Sequence, residues 1–154
     1  MYQKILVPLD GSELAECVLS HVEAIAGGCR IKEVILTRVV EPFNQPIASE
    51  YVFKESEVAR VNNELQAEAE KYLNRAKAKI KLSGSTLRTE LLHGSPAAEL
   101  ADYSAKNGVD LIVIATHGRS GVSRWVWGSV ADRILRSACV PVLMVRAPGC
   151  FPGI

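Results

Sequence analysis

Lys4-Ile5-Leu6-Val7-Pro8-Leu9-Asp10-Gly11-Ser12 is the stretch from which the fold can be read. Its compact apolar run predicts a strand, and Gly11-Ser12 then opens a segment in which Leu14, Val18, Val22 and Ile25 recur at helical spacing. Ser12 is suited to capping that helix, because its hydroxyl can accept from an orphan amide. Gly27-Gly28 supplies a left-handed stop at the far end.

The same alternation continues along the chain. Ile31 to Val40 repeats the strand signal, with the β-branched character of a strand covered on both faces, and Glu41 to Pro46 breaks it. From about Ser56 to Ile80, Val58, Val61, Leu65, Ala69, Tyr72, Ala76 and Ile80 mark a long amphipathic helix. Thr86 to Leu92 is a more polar strand, followed by a helix with Ser95 at its N-cap and Pro96 at its first position, closed by Asn107-Gly108. Val109 to Ala115 is the most apolar strand, Thr116 to Trp127 a glycine-containing loop, and Gly128 to Ser137 a short helix with Val130, Ile134 and Leu135 on one face. Pro141 to Arg146 is the fifth strand.

Strand and helix in strict alternation predict an α/β fold of the flavodoxin or Rossmann type: an open, five-stranded parallel sheet with helices on both faces. Such sheets bind ligands outside the carboxyl ends of their strands, where strand order reverses. Those ends are Pro8-Leu9-Asp10, Val39-Val40-Glu41 and Ala115-Thr116-His117-Gly118. With 154 residues and no linker or repeat, one domain over residues 1–147 is expected, with a loose tail at 148–154.

Composition narrows the function. Lys plus Arg number 18 and Asp plus Glu 17, so no basic excess argues for nucleic acid. No apolar stretch approaches the roughly 20 residues of a membrane span, and the opening residues lack a secretory pattern, so a cytoplasmic protein without membrane association is expected. Cys17, Cys29, Cys139 and Cys150 form no C-x-x-C unit, and Cys17 and Cys139 are expected as buried thiols. His93 and His117 belong to no H-x-x-x-H or Cys/His cluster, and no G-x-S-x-G elbow is present, so no catalytic or metal-ligating residue is assigned.

The chain contains neither G-x-x-x-x-G-K-[ST] nor G-x-G-x-x-G after its first strand. It does contain Gly118, nine residues, then Gly128-Ser129 at a helix start. Glycines let backbone approach a polyphosphate, and the unpaired amides and dipole of a helix N-terminus favour an anion. Taken alone, Gly-Ser before a helix is also ordinary capping. Arg119 and Arg124 could reach outer phosphates or stay solvated, and Trp125 and Trp127 could cover the phosphates or meet a partner.

From Lys4 to Arg146 the chain resembles the universal stress protein family, whose fold belongs to the wider adenine-nucleotide α-hydrolase-like group. The resemblance lies in Ile5 to Ser12, Gly94-Ser95-Pro96-Ala97, Val109 to Gly121, Gly128-Ser129-Val130-Ala131 and Val140 to Val145. The family's ATP-binding branch carries G-x2-G-x9-G-[ST]; here Gly118, Gly128 and Ser129 fill the later positions and Ala115 stands at the first. Alanine permits a close approach unless a positive φ is needed there. The resemblance implies that Pro8, Leu9 and Asp10 lie beside the adenosine and that Val39 presents backbone to the adenine edge. It also implies that Ile114 and Ala115 line the ribose side and that Gly118, Gly128, Ser129 and Val130 hold the phosphates. Val39, Ile114 and Val130 could equally be core, and Pro8 could merely end its strand. Asp10 has little packing value at such an edge.

These implications describe a stress-response sensor or signalling module that binds ATP, or AMP or ADP, with Mg2+ on the phosphates. They also imply a homodimer joined through Val140 to Val145, with protein partners unspecified. The alternatives are a nucleotide-free dimeric interaction protein and a slow ATP hydrolase.

Overall fold

A computed structural model describes residues 2–44, 53–116 and 129–147 of the chain, Ser129 through its backbone. Strands β1 (Lys4–Pro8), β2 (Glu33–Val40), β3 (Thr86–His93), β4 (Leu111–Thr116) and β5 (Val142–Arg146) form one sheet in the order β3-β2-β1-β4-β5. Every pairing is parallel. Helices α1 (Val18–Cys29), α2 (Glu55–Lys79), α3 (Pro96–Lys106) and α4 (Ser129–Ser137) complete the predicted alternation. Among the described residues no helix is long and apolar enough to cross a membrane.

Strand alternation divides the core between the two faces. Ile5, Val7, Leu36, Val113 and Ala115 pack with Val18 and Val22 of α1 and Tyr72, Leu73 and Ala76 of α2. Leu6, Ile35, Ile112 and Ile114 pack on the opposite face with Ala97 and Leu100 of α3 and Ala131 and Ile134 of α4. All six residues of β4 are buried, as a central strand covered on both sides requires. β3 has no fully buried residue because it lies at an edge. β5 lies at the other edge.

Four local expectations are corrected. Gly27 and Gly28 do not end the first helix but lie inside it, and the left-handed residue is Arg30 with φ 55°. The helix runs on because Ile31, 2% exposed, must enter the core, and the reversal has to come immediately before it. Leu135 does not share the buried face of α4: it is 49% exposed, whereas Ile134 is 0% and Ala131 4% exposed. One step of 100° around the helix axis carries Leu135 out of the contact with the sheet. Cys139 is exposed because it follows the end of α4, while burial among core residues pushes the half-buried Cys17 thiol above its ordinary pKa. Ser95 occupies the N-cap position of α3, but its side chain makes no capping hydrogen bond.

The placement of the two helical glycines makes a direct prediction. A Cβ added at Gly27 or Gly28 would meet nothing within 4 Å. Each Gly→Ala change should therefore stabilise the protein by about 0.5–1 kcal/mol, through the helix propensity that glycine forgoes. Thermal melts of Gly27→Ala and Gly28→Ala measure this, and a fall in midpoint would put the helix stop back at these glycines.

Candidate functional site

The chain leaves β1 to build β2 and β3 on one side, then returns to build β4 and β5 on the other. The carboxyl ends of β1 and β4 therefore flank the reversal of strand order, where parallel sheets open a crevice. α4 carries the chain from the carboxyl end of β4 back to the start of the parallel β5, which puts its N-terminus, at Ser129, on the same edge.

Residues of the sheet reach this edge in two levels. Pro8 pairs with Thr37, and Ile114 lies two residues beyond the Leu6–Ile112 pair, so Pro8, Thr37 and Ile114 are level with one another. Asp10, Val39 and Thr116 follow one pleat further on. By alternation all six belong to the face covered by α3 and α4. Pro8 and Ile114 are buried, Val39 and Val130 half-buried and Asp10 exposed. Ala115 and Leu9 belong to the other face, among the core residues under α1 and α2. Leu9 can meet a ligand through backbone alone, and its N–H already donates to the Thr37 carbonyl at 2.8 Å.

Val39 owes its interest to backbone geometry. In a parallel pair, alternate residues of a strand direct their N–H and C=O to the same neighbour. Thr37 accepts from Leu9 and therefore serves β1; Val39, two residues on, turns its N–H and C=O to the same side. The β1–β2 register ends at Pro8–Thr37, so Val39 addresses the place that β1 has left.

The β1–α1 turn is held from three directions. Asp10 Oδ1 accepts from the Ser12 N–H at 2.9 Å and the Ser12 hydroxyl at 2.7 Å, and Ser12 Oγ accepts from the Ala15 N–H at 3.1 Å. Ser12 thus ties the loop to the 3-10 turn Ala15–Cys17 that precedes α1 and is not the N-cap of α1 itself, a position that Cys17 takes; Asp10 has a turn-forming role that the sequence did not reveal. From α2, the Tyr72 hydroxyl donates to the Ser12 carbonyl at 3.1 Å, and Arg38 stacks over the Tyr72 ring at 5.4 Å from its centroid. Burial, then the carboxylates of Glu16 and Asp10, hold the Tyr72 hydroxyl far above its usual pKa, so it stays a donor. Gly11, with φ 94°, leaves the space that the Arg38 guanidinium occupies: a Cβ there would stand 2.9 Å from Arg38 Cζ.

Gly11, Arg38 and Tyr72 were not singled out as site residues by the sequence; Gly11 beside Asp10 was the one visible signal. Asn62 was also missed. It brackets the Phe43 backbone, accepting its N–H at 2.7 Å and donating to its carbonyl at 3.4 Å, and so sets the path of the chain after β2. At the β4 end, the Thr116 hydroxyl donates to the Val145 carbonyl at 3.4 Å and the Ala147 N–H to the Thr116 carbonyl at 3.3 Å. Ala115 lies in the extended strand; among the described residues Arg30 alone combines a side chain beyond glycine with positive φ, so position 115 makes no demand for glycine. His117, Gly118, Arg119, Arg124, Trp125, Trp127, Gly128 and Cys150 lie outside the described residues, as does the tail from residue 148.

Comparison with known proteins agrees with this architecture. A sequence model described as the universal stress protein family matches residues 1–146. Universal stress protein MJ0531 of Methanocaldococcus jannaschii is 33% identical over 149 residues, covering 96% of this chain and 84% of that protein. The solved structure of MJ0577, from the same organism, has a TM-score of 0.76 and 28% identity, covering 97% of this chain and 99% of that one. The structure of a universal stress protein family protein from Arabidopsis thaliana with AMP bound shares the fold at 13% identity and a TM-score of 0.63, covering 96% of this chain and 93% of that one.

Proposed function

Because the chain belongs to the universal stress protein family, we propose that it binds an adenine nucleotide at the carboxyl edge of its sheet and acts as a stress-response sensor or signalling module. ATP is the preferred ligand, with AMP or ADP as other bound species. The observation that carries this reading is the Val39 backbone, whose N–H and C=O face the side that β1 leaves after Leu9. A donor and acceptor side by side match the adenine edge, which offers an amino group next to a ring acceptor; guanine offers the opposite pattern. Ile114 closes the apolar side, and the start of α4 at Ser129 supplies amides and a dipole for the phosphates, with Val130 behind them. Gly118 and Gly128 complete the phosphate loop in this reading. The AMP held by the Arabidopsis protein is of the same chemical class.

Among the described residues no group of three or more His, Cys, Asp or Glu could hold a metal ion. A Mg2+ ion is proposed on the phosphate oxygens of the bound nucleotide. The proposed setting is the cytoplasm.

The test is titration calorimetry with ATP and GTP, alongside identification of any nucleotide released when the purified protein is denatured. Two mismatched hydrogen bonds at about 1 kcal/mol each predict ATP binding roughly 10–100-fold tighter than GTP binding. Equal affinities would remove Val39 as the reader of the base.

We further propose a homodimer through Val140 to Val145. β5 is an edge strand whose Leu143 is 40% exposed, and an uncovered edge offers a row of backbone donors and acceptors to a second copy. An isologous two-fold contact closes it. The same edge favours the second reading, a dimeric interaction protein that holds no nucleotide, and the released-nucleotide measurement separates the two.

A further inference from the structure

Thr37 is 0% exposed, and its Oγ1 is the one buried side-chain nitrogen or oxygen among the described residues without a hydrogen-bond partner. Buried hydroxyls are almost always paired, so an orphan in a strand centre calls for an explanation. Packing does not supply one. Valine has the same shape, occurs at positions 34, 39 and 40 of the same strand, and would fill the site without a polar atom.

The position supplies the explanation. Thr37 lies between Ile35 and Val39 on the α3/α4 face of β2, level with Pro8 and Ile114, one pleat below Val39 and Asp10. Its carbonyl is the last on β2 to accept from β1, receiving the Leu9 N–H at 2.8 Å. Register therefore puts this enclosed hydroxyl in the row of residues just inside the strand ends, where its neighbours are a proline and an isoleucine. It is the polar atom in an otherwise apolar row, directly beneath the backbone that faces the gap.

We propose that Thr37 is a specificity-determining contact, its hydroxyl hydrogen-bonding a polar atom of the purine ring of the bound nucleotide. This rests on the adenine-nucleotide reading and deepens it. Pro8 and Ile114 give the base apolar surfaces, the Val39 backbone reads one edge, and Thr37 reads a second point from below. The Val39 pair holds one edge of the flat ring, and the Thr37 hydroxyl adds a contact at a second point away from that edge.

Thr37→Val and Thr37→Ser test this, by calorimetric titration with ATP, adenosine and tripolyphosphate and by thermal melting of nucleotide-free protein. Thr37→Val should weaken ATP and adenosine by the same factor, about tenfold, and leave tripolyphosphate unchanged. It should also raise the melting temperature of the nucleotide-free protein, because a buried unpaired hydroxyl has been removed. Thr37→Ser, which keeps the hydroxyl, should bind ATP within about threefold of the wild type. If Thr37→Val binds ATP as the wild type does, the hydroxyl is no ligand contact and this assignment fails while the nucleotide reading stands. If Thr37→Val melts lower without nucleotide, the hydroxyl is already satisfied in the free protein and the assignment also fails. If the wild type binds neither ATP nor adenosine, the nucleotide reading itself falls and takes this contact with it.

Discussion

Gly11→Ala is expected to cost about 1–3 kcal/mol of stability and to weaken nucleotide binding at least tenfold. Gly11 has φ 94°, a conformation that a side chain adopts only under strain, and its missing Cβ leaves room for the Arg38 guanidinium at 2.9 Å. The guanidinium is the mobile end of a long side chain and shifts at little cost over the Tyr72 ring, so the strain of the positive φ dominates, in a turn that Tyr72 holds through the Ser12 carbonyl. The strained position adjoins Asp10, whose carboxylate organises the same turn. Gly84→Ala is the matched control: Gly84 has φ 85°, but a Cβ there would meet nothing within 4 Å. Both variants should shift the urea midpoint downwards with unchanged slope, and Gly11→Ala alone should lose affinity. A Gly11→Ala protein that binds ATP as tightly as Gly84→Ala does would detach the β1–α1 turn from the site.

Val142→Pro should dissolve the proposed dimer while leaving the monomer folded. Val142 pairs with Ile112, whose N–H donates to the Pro141 carbonyl at 2.9 Å. Pro141 and Leu143 therefore serve β4, and Val142 turns its N–H and C=O outward. A proline here removes only the outward donor, which edge strands tolerate. Across a two-fold axis the loss occurs twice. At about 1.4 kcal/mol each, the two lost bonds raise the dimer dissociation constant roughly a hundredfold. Light scattering over a dilution series measures it, with circular dichroism as the check on folding. A variant that dimerises as the wild type does would place the interface elsewhere.

The sheet was legible because its signals are local. Apolar runs such as Ile5 to Leu9 and Leu111 to Ala115 identify strands without knowledge of their neighbours, and parallel order follows from the helices between them. The carboxyl edge followed from the same reasoning, which is why Pro8, Asp10 and Val39 could be placed at it, whereas Ile114 entered through the family resemblance. What escaped depends on residues distant in sequence. Arg38 and Tyr72 meet only once α2 has packed across β2, and nothing local marks them as partners of Gly11. Arg30 takes the left-handed turn because Ile31 must be buried, a tertiary demand that overrides the local preference of Gly27-Gly28. The side on which the Ala115 methyl lies likewise depends on which helices cover which face. Thr37 left a trace in the sequence, a hydroxyl within Val34 to Val40, but a polar residue in a strand is ordinary until its partners have been sought.

Thr116 ends β4 at the crevice, yet its two described hydrogen bonds run sideways, to the Val145 carbonyl and from the Ala147 N–H, on either side of the last residue of β5. One residue therefore borders the crevice and grips the edge strand. A ligand that tightens or loosens the hold of Thr116 acts on β5 through the same pair of bonds. Under the proposed nucleotide binding and dimerisation, thermodynamic reciprocity then applies: the factor by which nucleotide changes the dimer dissociation constant equals the factor by which dimerisation changes nucleotide affinity. Message and assembly would be two readings of a single coupling free energy, obtainable by titrating the nucleotide or by diluting the protein.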